Sequence, residues 1–418
     1  MGAQLKFAYS DSEISIKPKG RLLKILDIPR SNPIKDISKT LNALLNESVE
    51  RPSLDELISK KKPKKLSIIV ADKTRKNPEY PEILDILISF IRERSDCVIS
   101  LIVAYGSHPR QRDSECIQLY GAENLSRVNI IHHDAYDSAE LILTGKLSSG
   151  NDLYLNRTVR ESDILIGLGG INPHVFAGFS GGRKAILPGI SGYKTIEANH
   201  SMVISELAAL GNLEGNPIHM EMVEAADIAG LDYIINFVRD TEGKINGIFS
   251  GEHKTAFQKG VDLCRELTTV AIKDFADVVF ASCGGSPKDA SLYHAQRAIA
   301  TAASAVKRGG TIVIIGDFPD GAGNDIFKNW LAKPVGELLS LKKEEIKLGI
   351  HSAYLMAKQL NKCNIILYSK RILDWAEKMH FKHVWSQSAM DKLLAEKYST
   401  GYSYYAIPNG SAIMTRNG

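Results

Sequence analysis

The chain has 418 residues, 44% of them hydrophobic and 24% charged, with a net charge of +4 at pH 7. That length suits two or three domains with ample core, and a balance so near neutral argues against a nucleic-acid-coating protein. Five scattered cysteines with no C-x-x-C spacing point to a reducing compartment and away from a thiolate zinc site.

In chain order, residues 1–16 alternate as a strand and lack the apolar stretch of a signal peptide. The chain begins Met1-Gly2, but Lys6 stands where a myristoylation motif needs Ser or Thr. No apolar run approaches the roughly 18 residues of a membrane span, so a cytoplasmic protein is expected. The one dense basic run, 60–65, reads as a solvated linker before a strand rather than a nucleic-acid patch. Short β-branched runs then alternate with longer helical ones. Residues 65–72, 97–106, 128–135 and 163–170 read as strands, and 78–94 and 195–210 as helices. After about residue 265 the pattern restarts, with strands predicted over 277–285, 310–317, 345–350 and 363–370 and a helix over 295–309. The expected fold is α/β: two domains with mostly parallel sheets, 1–268 and a Rossmann-like 269–418.

In open α/β sheets, ligands bind beyond the carboxyl ends of the strands, and the polar residues of interest fall there. Asp72, Thr74 and Arg75 follow the first strand, and Gly106-Ser107-His108 the second. His174 follows 163–170, and "CGGSPKDASLYHAQR" follows the first C-terminal strand. The expectation is an active site in the cleft between the domains.

The centre of interest is "GFSGGRKA", residues 178–185. It is not a P-loop, because Arg183 separates glycine from lysine and Ala185 replaces the required hydroxyl. Backbone N–H groups of Ser180, Gly181 and Gly182 are candidates to cradle a phosphate; a purely structural turn is the alternative. Lys184 reads either as a solvated lysine or as a covalent anchor whose amine is made nucleophilic by burial and by Arg183. His108 and His174 lie on loops, where paired imidazoles suit acid–base work near neutral pH. His200 falls inside a helical pattern and reads as a core histidine. His132 and His133 point to opposite faces of a strand and read as structural. Arg75 offers a fork for a carboxylate, with Asp72 placed to orient it or a histidine; a surface salt bridge is the alternative.

Taken together, "ADKTR" (71–75), "YGSHPR" (105–110), "NPHVFAGFSGGRKAILPGI" (172–190), "TIEANHSMV" (195–203), "GNPIHMEMVEAA" (215–226), "CGGSPKDASLYHAQRA" (283–298) and "LGIHSAYLMAK" (348–358) resemble the nickel-dependent lactate racemase family. The resemblance spans nearly the whole chain. It implies a nickel-pincer nucleotide, a pyridinium-3,5-bisthiocarboxylate mononucleotide binding nickel, attached covalently to Lys184. His200 would then be a nickel ligand, against the plain reading of that residue. Phe176, Ser180, Gly181 and Gly182 would line the cofactor. His108 and His174 would flank the substrate as alternating acid and base, Arg75 would bind its carboxylate, and Asp72 would support them. The implied reaction removes hydride from C2 of a 2-hydroxy acid and returns it to the other face of the planar 2-oxo acid. Cofactor maturation enzymes are implied partners, and protein made without them is expected to lack the cofactor. No membrane or nucleic-acid partner is expected, and the residues leave open a homo-oligomer.

One stretch departs from the family. Where lactate racemases have Tyr-Gln and, three positions on, Lys, this chain has Tyr293, His294 and Arg297, and "GIHSAY" holds no Trp-Gln. These three are the expected substrate-binding residues of the C-terminal domain. The change suggests a 2-hydroxy acid other than lactate, larger or more polar. A sugar-acid (aldonate) epimerase with the same cofactor, or a non-catalytic carrier of it, are the competing readings.

Overall fold

The computed structural model describes residues 4–28, 31–47, 52–75 and 77–417; Met1 and Gly2 of the myristoylation reading lie outside them. The chain forms two compact units, Arg30–Leu267 and a second made of Met1–Pro29 with Thr268–Gly418. A boundary near 268 was expected, but not the assignment of the first residues. The strand Arg21–Ile25 pairs in parallel with Ser403–Ile407, so the opening segment belongs to the second unit. Pairing across nearly 400 residues leaves no local signal in sequence.

The first unit holds a six-stranded sheet in the order Ile245–Gly251, Tyr233–Arg239, Ile164–Ile171, Lys65–Ala71, Val98–Ala104, Asn129–His132. Neighbours run parallel except the two strands at the Ile245–Gly251 edge. The strand Lys65–Ala71 buries five residues in succession, the continuous apolar run of a strand covered on both faces. The helix Tyr80–Arg92 buries Ile83, Leu84, Leu87, Ile88 and Ile91, a stripe at i, i+4 and i+8. Truncating Leu84 or Leu87 to Ala there would cost about 2–5 kcal/mol.

The second unit holds a wholly parallel six-stranded sheet, ordered Lys382–Val384, Asn364–Tyr368, Val306–Ile315, Ala276–Ser282, Ser403–Ile407, Arg21–Ile25. From Ala276–Ser282 the chain builds outward on one side, then returns to the other at Ser403–Ile407. The strand order therefore reverses between those two strands.

Three local expectations are corrected. Residues 345–350 are no strand: Lys343–Glu345 is a 3-10 turn and Ile350–Lys362 a helix starting after Gly349 at φ +90°. A short apolar run cannot be told from a helix start by periodicity. The helix predicted over 195–210 is Tyr193–His200, followed by the 3-10 turn Ser201–Ile204, where the Ser201 hydroxyl donates back to Ala198 O at 2.7 Å. The basic run is a linker only in part: its exposed lysines include Lys62 and Lys64, which with Pro63 join a helix to the strand Lys65–Ala71. Lys60 and Lys61 close the helix Leu54–Lys61, where cations complement the helix dipole, and Lys61 Nζ donates to Asp232 at 2.6 Å. All five cysteines are free and buried. Among the described residues no helix is long and apolar enough to cross a membrane.

Candidate active site

Asp72 stands one residue past the strand Lys65–Ala71 and is buried. Its Oδ2 lies 2.8 Å from His108 Nδ1, and its Oδ1 accepts from both the N–H and the hydroxyl of Thr74. Burial opposes its ionisation. The hydrogen bond and charge of His108, the Thr74 bonds and the Arg75 charge outweigh that and hold the carboxyl below its usual range. An ionised Asp72 fixes the His108 tautomer, with the proton on Nδ1 and the Nε2 lone pair presented outward. Gly106, at φ +55°, donates its N–H to Gly189 O at 2.9 Å. That bond ties the His108 loop to the turn following Lys184.

A second group gathers around Phe176. Its ring meets His174 edge-on at 4.5 Å and His200 at 5.0 Å between centroids, and Lys184 Nζ lies 5.9 Å from its centre. Burial, then the charges of Lys184, Arg75, His200 and Arg183, push the His174 imidazole well below its ordinary value, so it is neutral at pH 7. Its Nδ1 accepts a long 3.3 Å bond from Ala177 N–H, which places the proton on Nε2. Burial, then Arg75 and Arg183, likewise hold Lys184 well below the usual lysine range. Among the described residues no carboxylate pairs with it. A shift in that direction favours the free amine, the nucleophilic form of lysine. The charges of Arg75 thus reach Asp72, His174 and Lys184, and the first unit brings Asp72, Arg75, His108, His174, Phe176, Lys184 and His200 together.

The phosphate cradle expected from the glycines is corrected. Ser180 N–H donates to Asn172 O at 2.8 Å and Gly182 N–H to Asn236 Oδ1 at 2.8 Å, so two of the three donors are already spent. The glycines serve close packing instead. At Gly181 (φ +83°) an added Cβ would stand 2.7 Å from Ile171, and at Gly182 (φ +52°) 2.9 Å from Phe257. Arg183, 1% exposed, donates to Ala177 O at 2.8 Å and Gly181 O at 3.2 Å and lies over the Phe257 ring at 4.4 Å. A buried cation satisfied only by carbonyls and a π face locks the loop that carries Lys184.

Some positioning residues went unread. Asn216, the N-cap of Pro217–Ala229, donates to Phe176 O at 2.8 Å; Asn before Pro at a helix start was the signal available. Asn236 also donates to Gly169 O at 3.1 Å, and nothing local marked it. Asn199, beside His200, donates to buried Glu221 at 2.7 Å. His132 and His133 are structural as read: His132 Nδ1 shares a hydrogen bond with Tyr105 OH at 2.8 Å, and His133 Nε2 donates to Ser191 O at 3.0 Å.

Tyr293, His294 and Arg297 form a separate group on the helix Leu292–Ala305 of the second unit. His294 Nδ1 bonds Ser291 Oγ at 2.8 Å, and Tyr293 packs edge-on against Phe327 at 5.5 Å. Spaced three apart, His294 and Arg297 share one helix face.

A parallel-sheet α/β protein that gathers two imidazoles and a lysine shifted well below its usual range is equipped for proton transfer on a small molecule. The comparisons with known proteins agree. Residues 9–211 match the family model described as Lactate racemase N-terminal domain, and residues 271–415 that described as Lactate racemase C-terminal domain. The lactate racemase of Lactiplantibacillus plantarum is 38% identical over 301 residues, 70% of each chain. That of Thermoanaerobacterium thermosaccharolyticum is 31% identical over 367 residues, 84% of this chain and 85% of the relative. The structure of the lactate racemase apoprotein from the latter organism covers 99% of this chain and all of its own at a TM-score of 0.91 and 29% identity. A Thermotoga maritima structure, at 0.66 and 17% identity over 93% of this chain and all of that one, shares the fold alone. The chain belongs to the lactate racemase family, and is an isomerase.

Proposed function

We propose that the protein racemises or epimerises a 2-hydroxy acid, with Lys184 and His200 holding a nickel-pincer nucleotide. The observation that carries this reading is half-buried Lys184, which pairs with no carboxylate among the described residues and is shifted well below the usual lysine range beside two histidines. The donor set fits in part. Among the described residues no group of three His, Cys, Asp or Glu is placed to hold a metal, so nickel bound by His200 would need its other ligands from the organic group. A free amine suits covalent attachment of that group. The spent N–H groups at 180 and 182 leave only Gly181 of the glycine run to meet a phosphate.

When bound, the nucleotide supplies an acceptor for hydride from C2. The chain's own residues do the rest. Arg75 binds and orients the carboxylate through its two-pronged guanidinium. His108 presents Nε2 as the base for the hydroxyl proton, and Asp72 stabilises the imidazolium that forms. His174, kept neutral by burial first and its cationic surroundings second, handles the proton on the opposite face. Two bases on opposite sides are what inversion requires; one would return the starting isomer. Tyr293, His294 and Arg297 are proposed to set the choice of acid, and the free cysteines suit a cytoplasmic, reducing setting.

Racemisation measured across monocarboxylic, dicarboxylic and aldonic 2-hydroxy acids, on protein co-expressed with the maturation enzymes, tests the reading. Turnover of at least one acid with inversion at C2 is expected, with lactate not the best. No turnover by a chain shown by intact mass to carry the adduct would defeat it.

A further inference from the structure

Phe176 and His200, whose rings meet at 5.0 Å, are both held through one helix, Pro217–Ala229. Asn216, fully buried at its cap, accepts from the N–H groups of Ile218 (3.1 Å) and His219 (3.3 Å) and donates from Nδ2 to Phe176 O at 2.8 Å. A little over one turn further along, the same helix reaches the neighbour of the other ring. Asn199, fully buried beside His200, donates from Nδ2 to Glu221 Oε2 at 2.7 Å and to Ile218 O at 3.3 Å. Turning that amide over would set its oxygen against a carboxylate and a carbonyl, so its orientation is fixed.

Glu221 is 3% exposed, and a buried carboxylate is costly unless hydrogen bonds satisfy it. Its donors are neutral side chains: Asn199 on Oε2, and on Oε1 the Ser149 hydroxyl together with Asn151 Nδ2 at 2.8 Å. Bonds to an ionised acceptor are about twice as strong as neutral ones. Ser149 and Asn151 lie in the turn of the hairpin Leu141–Lys146 with Asp152–Asn156, and Asn199 lies in the last turn of the helix Tyr193–His200. The hairpin grips that helix a turn earlier as well, where Thr195 Oγ1 donates to Asp152 O at 2.8 Å and accepts from Tyr154 N–H at 3.0 Å. Thr195 and Asn199 are spaced to share one helix face, and both are anchored. The rotation of the helix end, and with it the direction of His200, is thereby set.

We infer that Glu221 is a positioning residue: through Asn199 it fixes the helix end that carries His200, and so the meeting of that ring with Phe176. The consequence at the metal rests on the proposed reading of His200 as a nickel ligand; the ring geometry is a property of the chain alone. Removing a group that orients a metal's ligand commonly costs about 10–100-fold in affinity or activity.

The test compares Glu221→Gln with Glu224→Gln. Glu224, on the same helix, ties the same hairpin turn by accepting from the Ser148 N–H at 2.8 Å and its hydroxyl at 2.6 Å, and so shares the tie without the bond to Asn199. In the full chain prepared without cofactor and with carbon-13-labelled histidine, the His200 resonance, assigned through His200→Gln, should move in Glu221→Gln and stay in place in Glu224→Gln. In protein carrying the adduct, release of nickel to a chelator should be about tenfold or more faster in Glu221→Gln. There kcat should fall while KM stays within about twofold, since the substrate contacts are untouched. Asn199→Ala removes the same bond from its other end and should reproduce both effects, which keeps the test decisive if Glu221→Gln folds poorly. A His200 resonance unmoved by Glu221→Gln and Asn199→Ala, or moved equally by Glu224→Gln, would overturn the assignment. A resonance that moves while nickel release does not would uphold the positioning and defeat the reading of His200 as a ligand.

Discussion

The two units end their central strands in opposite ways. In the second, Tyr9 OH donates to Asp317 Oδ1 at 2.8 Å and accepts from Lys370 N–H at 2.9 Å, Arg371 pairs with Asp317 at 3.0 Å, and Asp289 takes two backbone N–H groups. That network is closed, and holds the opening hairpin, Leu5–Tyr9 with Ser12–Ile16, to the sheet. In the first unit, among the described residues, Arg183 meets carbonyls and a ring, and Lys184 meets no carboxylate. The lesson is that a satisfied strand end stabilises, while an unsatisfied one stays available for chemistry. Proteins tolerate such local violations at functional sites.

Four changes would break or sharpen this contrast. Lys184→Met should abolish turnover, by about 10⁴-fold or more, while leaving the melting temperature equal or higher, because a buried amine without a partner is removed. Activity and thermal unfolding measured on one preparation check both halves; a large loss of stability would place Lys184 among the structural residues.

His108→Gln and His174→Gln should each lower turnover by about 10²–10⁴-fold. Because the two rings are proposed to serve opposite faces of the substrate, the two variants should change kcat and KM unequally for the two enantiomers. Separate rates from each enantiomer decide it.

The pH dependence of stability should reach into both units. Burial pushes His133 in the first unit and His351 in the second down to about 4, from an ordinary 6.5. Both are neutral when folded, whereas the unfolded chain takes up protons below 6.5. The stability they allow is therefore complete above pH 6.5 and is lost as pH falls toward 4, by up to about 3 kcal/mol for a fully buried ring. Melting temperatures from pH 7.5 to 4 should show the fall, and His133→Gln or His351→Gln should flatten it.

The smallest effect belongs to Tyr9→Phe, which opens the closed network of the second unit at a cost of about 1–2 kcal/mol. Activity at 25 °C should be unchanged, and chemical denaturation should report the loss.

Much of the scaffold was legible because strands buried on both faces leave continuous apolar runs: 65–72, 97–106, 163–170 and 363–370 coincide with observed strands within one or two residues. The loops carrying Asp72, Arg75, His108, His174 and Lys184 were legible for a related reason, since parallel sheets put their polar residues after the strands. What the glycines do was not. Whether Ser180 and Gly182 offer their N–H groups to a ligand depends on Asn172 and Asn236, and Asn236 lies more than fifty residues away.

By itself, then, the order of residues determined the α/β class, the restart near 268 and the loop positions of the polar groups, because apolar periodicity and punctuation are local. Only the tertiary structure decided that the first strands complete the second unit, that Arg183 is locked inward, and that Lys184 lies where charge is costly. Those facts depend on which distant groups share a neighbourhood, and desolvation and Coulomb interaction act through space without regard to chain order.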